Sequence, residues 1–329
     1  MEKVTLGRTG LEVPKLAMGG AWCAIDPDGQ ERSRKLIHRA MEFGMNYIDT
    51  AAGYGDSEEA IGNVIKDIKE PIIIATKLGG RPQPFEPQNI DCLRKSVETS
   101  LKLLHREQID ILMIHEPDRP GEYDWWADRD TYSGPVTDLM EELKEKGTIR
   151  FTGLGGTTAH ELGPIIRSGK FDVVLTAFNY SLLWREAAID VIPACKEVGA
   201  GVVSASPLQQ GGLVGRFDDE VNNGALWLSK PRREQYKALY AYLDEIGMDI
   251  IECALRFVVS NPDIDCIMNG ARDVEQLEQN VAAFEKGPLP ADILARLDDI
   301  HAMVPFRPFE EPFGIHFTGP KHRSGPGSA

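Results

Sequence analysis

Residues 46–77 read Asn46-Tyr47-Ile48-Asp49, then Thr50-Ala51-Ala52-Gly53-Tyr54-Gly55, then Asp56-Ser57-Glu58-Glu59-Ala60-Ile61-Gly62, and close on Ile72-Ile73-Ile74-Ala75-Thr76-Lys77. Two short apolar runs flank a loop and a helix-start signal, with Asp56 as the N-cap and Glu59, three residues on, as its capping-box partner. Apolar strands separated by helices are buried on both faces. That pattern implies a parallel sheet.

The same alternation extends outward to both ends of the chain. Strand-like runs stand at Leu16-Ala17-Met18, Ile109 to Ile114, Ile149 to Gly153, Val173-Val174-Leu175, Val202-Val203-Ser204 and Asp265-Cys266-Ile267-Met268. Between them, Leu36, Ile37, Ala40 and Met41 share a helical face that Gly44 ends. Ile90, Leu93, Val97, Leu101 and Leu104 keep the 3.6 period, as do Val136, Leu139, Met140 and Leu143 before Gly147. Eight βα units over residues 1–302 predict a single-domain α/β fold, a parallel eight-stranded (β/α)8 TIM barrel. An open doubly wound sheet would usually place GxGxxG after its first strand, and Gly19-Gly20-Ala21-Trp22 does not fit. Residues 303–329 read as an irregular, Pro-rich tail, with its last residues, 321–329, small, polar and disordered.

Composition narrows the function. With 36 basic and 51 acidic residues the formal charge is −15, which disfavours nucleic acid and anionic membranes as partners. No stretch approaches the ~18 apolar residues of a membrane span, and the first residues hold no apolar run that reads as a signal peptide. Five scattered cysteines without a CxxC pair argue for reduced thiols, a cytoplasmic location and no metal site.

In such a barrel the chemistry gathers at the C-terminal ends of the strands. Those positions carry Asp49 with Tyr54 beyond it, Lys77, and His115: an acid, a phenol, an amine and an imidazole at one mouth. A phenol titrates near ~10, and a neighbouring ammonium lowers that value, so Tyr54 beside Lys77 can give a proton to an alkoxide. Asp49 pairs with Lys77, and His115 reaches the same substrate oxygen. The assembly moves protons and supplies no electrons, so a hydride source comes from a cofactor. Trp22, the aromatic fourth loop with Tyr123, Trp125, Trp126 and Tyr132, and the tail are read as pocket walls, with Trp22 and Trp125 as the substrate contacts.

The chain resembles the aldo-keto reductase superfamily over roughly residues 3 to 300. The resemblance is carried by Asp49-Thr-Ala-Ala-Gly-Tyr54-Gly-Asp-Ser-Glu-Glu-Ala-Ile-Gly62, Ile-Ala-Thr-Lys77, Ile-Leu-Met-Ile-His115-Glu-Pro-Asp and Gly147-Thr-Ile-Arg-Phe-Thr-Gly. Ser-Ala-Ser206-Pro-Leu-Gln-Gln-Gly-Gly-Leu213 and Gly270-Ala-Arg-Asp-Val-Glu-Gln-Leu-Glu-Gln-Asn280 complete it. The Val-Ser-Ala-Ser-Pro-Leu run is most similar to the galactose and aldose dehydrogenase branch, which implies carbohydrate metabolism. The resemblance implies a catalytic tetrad of Asp49, Tyr54, Lys77 and His115, with Tyr54 as general acid/base, acting on an aldehyde, ketone or sugar hemiacetal. It implies a nicotinamide cofactor whose pyrophosphate lies on Ser206, Pro207, Leu208, Gln209, Gln210 and Gly211, with Arg216 as counter-charge. Gly270, Arg272 and Gln276 then face the adenosine ribose, and Gln279 with Asn280 the adenine. Arg272 favours NADP(H), while Asp273 and Glu275 leave NAD(H) open.

Three positions depart from the family pattern. Gly155-Gly156-Thr157 stands where Ser-Asn usually holds the nicotinamide carboxamide. Leu175 replaces a common Gln, leaving Thr176 or Asn179 as substitutes, and Ala205 replaces an aromatic residue. These departures motivate a second reading, a cofactor-sensing accessory subunit such as the potassium-channel beta subunits of this fold. A third, an aldolase with Lys77 as Schiff base, is disfavoured because Asp49 keeps that amine charged. Oligomeric state stays open.

Overall fold

A computed structural model of the chain describes residues 1–306; the expectations for the rest of the tail lie outside the described residues. A short antiparallel hairpin, β1 (Lys3–Thr5) with β2 (Glu12–Pro14), precedes eight parallel strands. These are β3 (Leu16–Gly19), β4 (Tyr47–Asp49), β5 (Ile73–Leu78), β6 (Ile109–His115), β7 (Ile149–Gly156), β8 (Val173–Ala177), β9 (Gly201–Ala205) and β10 (Cys266–Gly270). They close in chain order, β10 pairing with both β9 and β3. Every one of the eight strand-like runs in the sequence is a barrel strand.

Side-chain alternation along the strands divides the core in two. Tyr47, Ala75, Ile111, Met113, Val203 and Met268 fill the barrel interior together with Leu6, Leu11 and Val13 of the hairpin, which plugs its lower end. There Gly7, at φ +45°, approaches so closely that a Cβ would lie 2.2 Å from the Gly201 nitrogen. Ile48, Ile74, Leu112 and Ile114 point outward, against helices such as α1 (Pro27–Glu42), α2 (Ser57–Ile65), α3 (Ile90–Leu103) and α4 (Pro135–Glu145). Asp49, Lys77 and His115 continue the inward phase of their strands. That parity carries all three to the interior side of the mouth.

The start of α2 corrects one expectation. Asp56 occupies the N-cap position, yet its side chain caps nothing. The neighbouring Ser57 hydroxyl instead donates to the Gly20 carbonyl at 2.7 Å and contacts Thr50 Oγ1 at 2.7 Å, tying the helix to two strand ends. Glu58, rather than Glu59, is the structurally committed acid: it is fully buried between Thr76, whose hydroxyl donates to it at 2.5 Å, and the Arg81 guanidinium.

Candidate active site

Lys77 is the hub of the mouth. Only 1% exposed, its ammonium donates to Asp49 Oδ1 at 2.5 Å and to the Thr50 carbonyl at 2.8 Å, and sits 4.7 Å from the centre of the Tyr54 ring. Burial pulls its proton affinity down, and the Asp49 carboxylate and Tyr54 outweigh that, leaving it above the ordinary lysine value. Lys77 therefore stays charged. The Tyr54 phenol is pushed up by burial while the Lys77 charge pulls it down, and burial wins. The sequence argument counted only the ammonium; desolvation of the phenolate is the larger effect in a site this enclosed.

His115 meets Tyr54 edge-on, ring centres 5.5 Å apart. Burial, with the Lys77 and Arg119 cations, lowers its imidazole to about 3. It is a neutral ring whose nitrogens carry no hydrogen bond to the described residues, free to meet a substrate oxygen. Below these groups Glu58 braces the site: Arg81, paired with it, donates to the Ala52 carbonyl at 3.1 Å, two residues before Tyr54.

All four groups line one cavity of about 680 Å3, the size of a cofactor or substrate pocket. Trp22, 44% exposed, forms part of its wall, with the Arg272 guanidinium 4.4 Å above its ring. Ser206, Leu208, Gln210, Gly211, Gly270, Arg272, Gln276, Gln279 and Asn280 line it as well. Ser206, Gln209, Gln210 and Gly211 all have positive φ, the kind of backbone from which anion-binding concavities are made. A dinucleotide fits this rim, and the buried Asn269 Nδ2, on the wall without a partner, is a ready donor for one.

The Aldo/keto reductase family model matches residues 15–302. The chain belongs to the aldo/keto reductase family. It is 27% identical over 329 residues to L-galactose dehydrogenase of Arabidopsis thaliana, an alignment covering 96% of this chain and 98% of that one. It is 29% identical over 320 residues to the NADH-specific methylglyoxal reductase of Escherichia coli strain K12, covering 88% and 93%. An aldo-keto reductase of Bacillus halodurans, solved in its holo form, superposes with a TM-score of 0.75 at 24% identity, over 91% of this chain and 96% of that one, and shares the fold.

Several residues read from the sequence as part of the site sit elsewhere. Trp125 is fully buried, packed on Phe85 and Tyr123, and its indole donates to the His115 carbonyl at 3.0 Å. It supports the end of β6 from behind and forms no wall of the cavity. Trp126 likewise turns inward to the Pro117 carbonyl. Arg216 is held by Asp218 and Asp244 and rests on Tyr240, away from the cavity lining. Gln209 is buried, and neither it nor Pro207 reaches the lining. Thr176 and Asn179 are both buried and bond to one another at 2.9 Å, so neither lines the cavity.

A side chain at either glycine would crowd a neighbour. A Cβ at Gly155 would press to 3.2 Å on the Lys77 stem, and one at Gly156 would lie 2.6 Å from the Asp118 carboxylate. Asp118, 3% exposed, takes the space a side chain at Gly156 would use and accepts from the Thr158 N–H at 2.5 Å. Two further wall residues escaped sequence reasoning. Phe178, whose N–H donates to the Ala205 carbonyl at 3.2 Å, lines the same cavity as Ala205. Glu116 follows His115 directly and was visible as a strand-end carboxylate; its conformation was not.

Proposed function

We propose that the protein is an NAD(P)H-dependent reductase or dehydrogenase acting on the carbonyl/alcohol pair of an aldehyde, ketone or sugar hemiacetal. The observation that carries this is the Asp49–Lys77–Tyr54–His115 cluster, gathered at the ends of three adjacent strands around the buried Lys77–Asp49 pair, at one end of a cavity sized for a dinucleotide. The bound nicotinamide supplies or accepts the hydride. Tyr54 gives its phenol proton to the nascent alkoxide, and Lys77 stabilises the phenolate left behind. Asp49 holds Lys77 in place and charged, while the neutral His115 directs the carbonyl oxygen toward Tyr54.

The loop from Ser206 to Gly211 would hold the pyrophosphate, and Gly270, Arg272, Gln276, Gln279 and Asn280 the adenosine end. We assign Phe178 the aromatic role at the nicotinamide that Ala205 lacks. The Arg272 guanidinium on the cavity wall supports NADP(H), while Asp273, which caps α5 (Val274–Glu285) by accepting from the Gln276 N–H at 2.8 Å, and the neighbouring Glu275 leave NAD(H) open. The names of the two sequence relatives support small carbonyl or sugar substrates and, in one, NADH.

The test is a fluorescence titration with NADPH and NADH, followed by turnover of an aldehyde and aldose panel at 340 nm with wild type and Tyr54→Phe. Tyr54→Phe should lose about 10²–10⁴-fold in kcat while binding the cofactor as before. Full turnover in that variant removes Tyr54 from its role. Failure of both cofactors to bind removes the reductase reading.

A further inference from the structure

Arg272 stands apart among the ring-stacked arginines of this chain. Arg39, Arg150, Arg185, Arg216 and Arg296 each lie over an aromatic ring, and each is also paired with at least one carboxylate. Arg272 lies 4.4 Å from the centre of the Trp22 ring and pairs with no carboxylate among the described residues. The chain carries 51 acidic against 36 basic residues, so this is not for want of acids. Asp273 is next in the chain, yet its side chain accepts from the Gln276 N–H instead. The face of the Arg272 guanidinium is held, and its edge is free.

The backbone builds this stack. β3 and β10 pair in parallel with Gly19 opposite Gly270, so the segments that leave them start side by side. The Cys23 N–H donates to the Gly20 carbonyl at 2.9 Å, a tight turn that brings Trp22 back over the end of β10. There the indole packs on Gly270, where a Cβ would lie 3.5 Å from Trp22 Cδ1 and Nε1. Cys23, the next residue, is buried and anchors the turn. Both Trp22 and Arg272 line the cavity. A flat cation stacked on an aromatic face keeps its N–H donors in the plane, open to an oxyanion. A carboxylate partner would fix the same plane, but it would consume those donors and cancel the charge.

We propose that Trp22 is a determinant of coenzyme preference: its ring holds the Arg272 guanidinium in the plane from which it takes the 2′-phosphate of NADP(H). The inference rests on the reductase reading and moves Trp22 from the substrate wall, where the sequence placed it, to the adenosine end of the cofactor. Trp22 acts through Arg272 and is a positioning residue. NADH, which has no 2′-phosphate, gains nothing from the stack.

The experiment titrates NADPH and NADH, followed by their own emission, into wild type, Trp22→Leu, Trp22→Phe, Arg272→Ala and the variant carrying both Trp22→Leu and Arg272→Ala. The preference for NADPH over NADH should fall about two- to fivefold in Trp22→Leu, which keeps apolar bulk without a π face, and stay near wild type in Trp22→Phe. Thermal melting should move little, because Trp22 is 44% exposed. Trp22→Ala carries the same test should the Leu variant fail to fold. With Arg272→Ala already present, Trp22→Leu should lower the preference no further, since the two side chains act as one unit. A loss of equal size in that background overturns the inference, because Trp22 would then meet the cofactor itself. An unchanged preference in Trp22→Leu, or a wild type that binds both coenzymes alike, also overturns it and leaves the reductase reading standing. Binding of neither coenzyme by wild type overturns both readings.

Discussion

At the ends of β4 and β5 the charged side chains are paired with one another, whereas several polar side chains of the rim between Ser206 and Asn280 are open to solvent. Lys77 spends its donors on Asp49 and Thr50, and Glu58 and Arg81 brace the Tyr54 loop from below. On the rim, Arg272, Gln276 and Gln279 are exposed, Arg272 rests on Trp22, and Asn269 Nδ2 has no partner. The difference matches the roles proposed for the two regions. Proton transfer gains from dipoles already fixed at the reacting oxygen, because no reorganisation is then needed during the reaction. Dinucleotide binding needs donors that are still free.

The sharpest way to break this contrast is to empty its buried end. Lys77→Met leaves Asp49 buried without its cation, and should lower stability by about 3–5 kcal/mol in urea unfolding. In the same variant kcat should fall about 10²–10⁴-fold, read by steady-state assay. Stability without Lys77 equal to wild type would mean that Asp49 is satisfied some other way.

Asp118 sharpens the comparison, because it is a buried carboxylate in the same region without a cation on it. Its Oδ1 has no partner, and burial raises it from 3.8 to about 6. The folded protein thus holds this proton more tightly than the unfolded chain does. Stability from this group is complete below about pH 4 and is lost as pH rises through about 6. Asp118→Asn should therefore be about 2–3 kcal/mol more stable than wild type at pH 8, and the gap should close toward pH 4. A gap that grows toward acid would show Asp118 to be ion-paired.

The smallest effect is expected on the rim. Arg272→Ala should weaken NADPH by about tenfold and NADH by little, with melting temperature unmoved in the free protein. Equal weakening of both cofactors would place Arg272 on the adenine or the shared phosphates rather than on a 2′-phosphate.

Much of this was legible in one dimension. The eight apolar runs could only be strands of a parallel sheet, since each was too short for a helix and too apolar for one solvated face. Asp49, Lys77 and His115 stood at strand ends, where barrel chemistry gathers. Other assignments failed for lack of a third dimension. Trp125 and Trp22 are both tryptophans in loops, yet one plugs the space behind His115 and the other walls the cavity. Arg216 reads as an unpaired counter-charge along the chain, and only the fold sets Asp244, 28 residues on, beside it. Glu58 and Glu59 are adjacent acids, and only the rotation of α2 decides which one meets Thr76.

The sequence by itself determined the barrel, the order of its strands and the four groups at its mouth. Period-2 and period-3.6 burial are local patterns, and strand-end chemistry follows from strand phase. Tertiary structure alone decided the state and surroundings of those groups: the neutral His115, the proton-hungry Tyr54, and the steric exclusion of side chains at Gly155 and Gly156. Desolvation and close contact depend on residues distant in the chain, which no local pattern records.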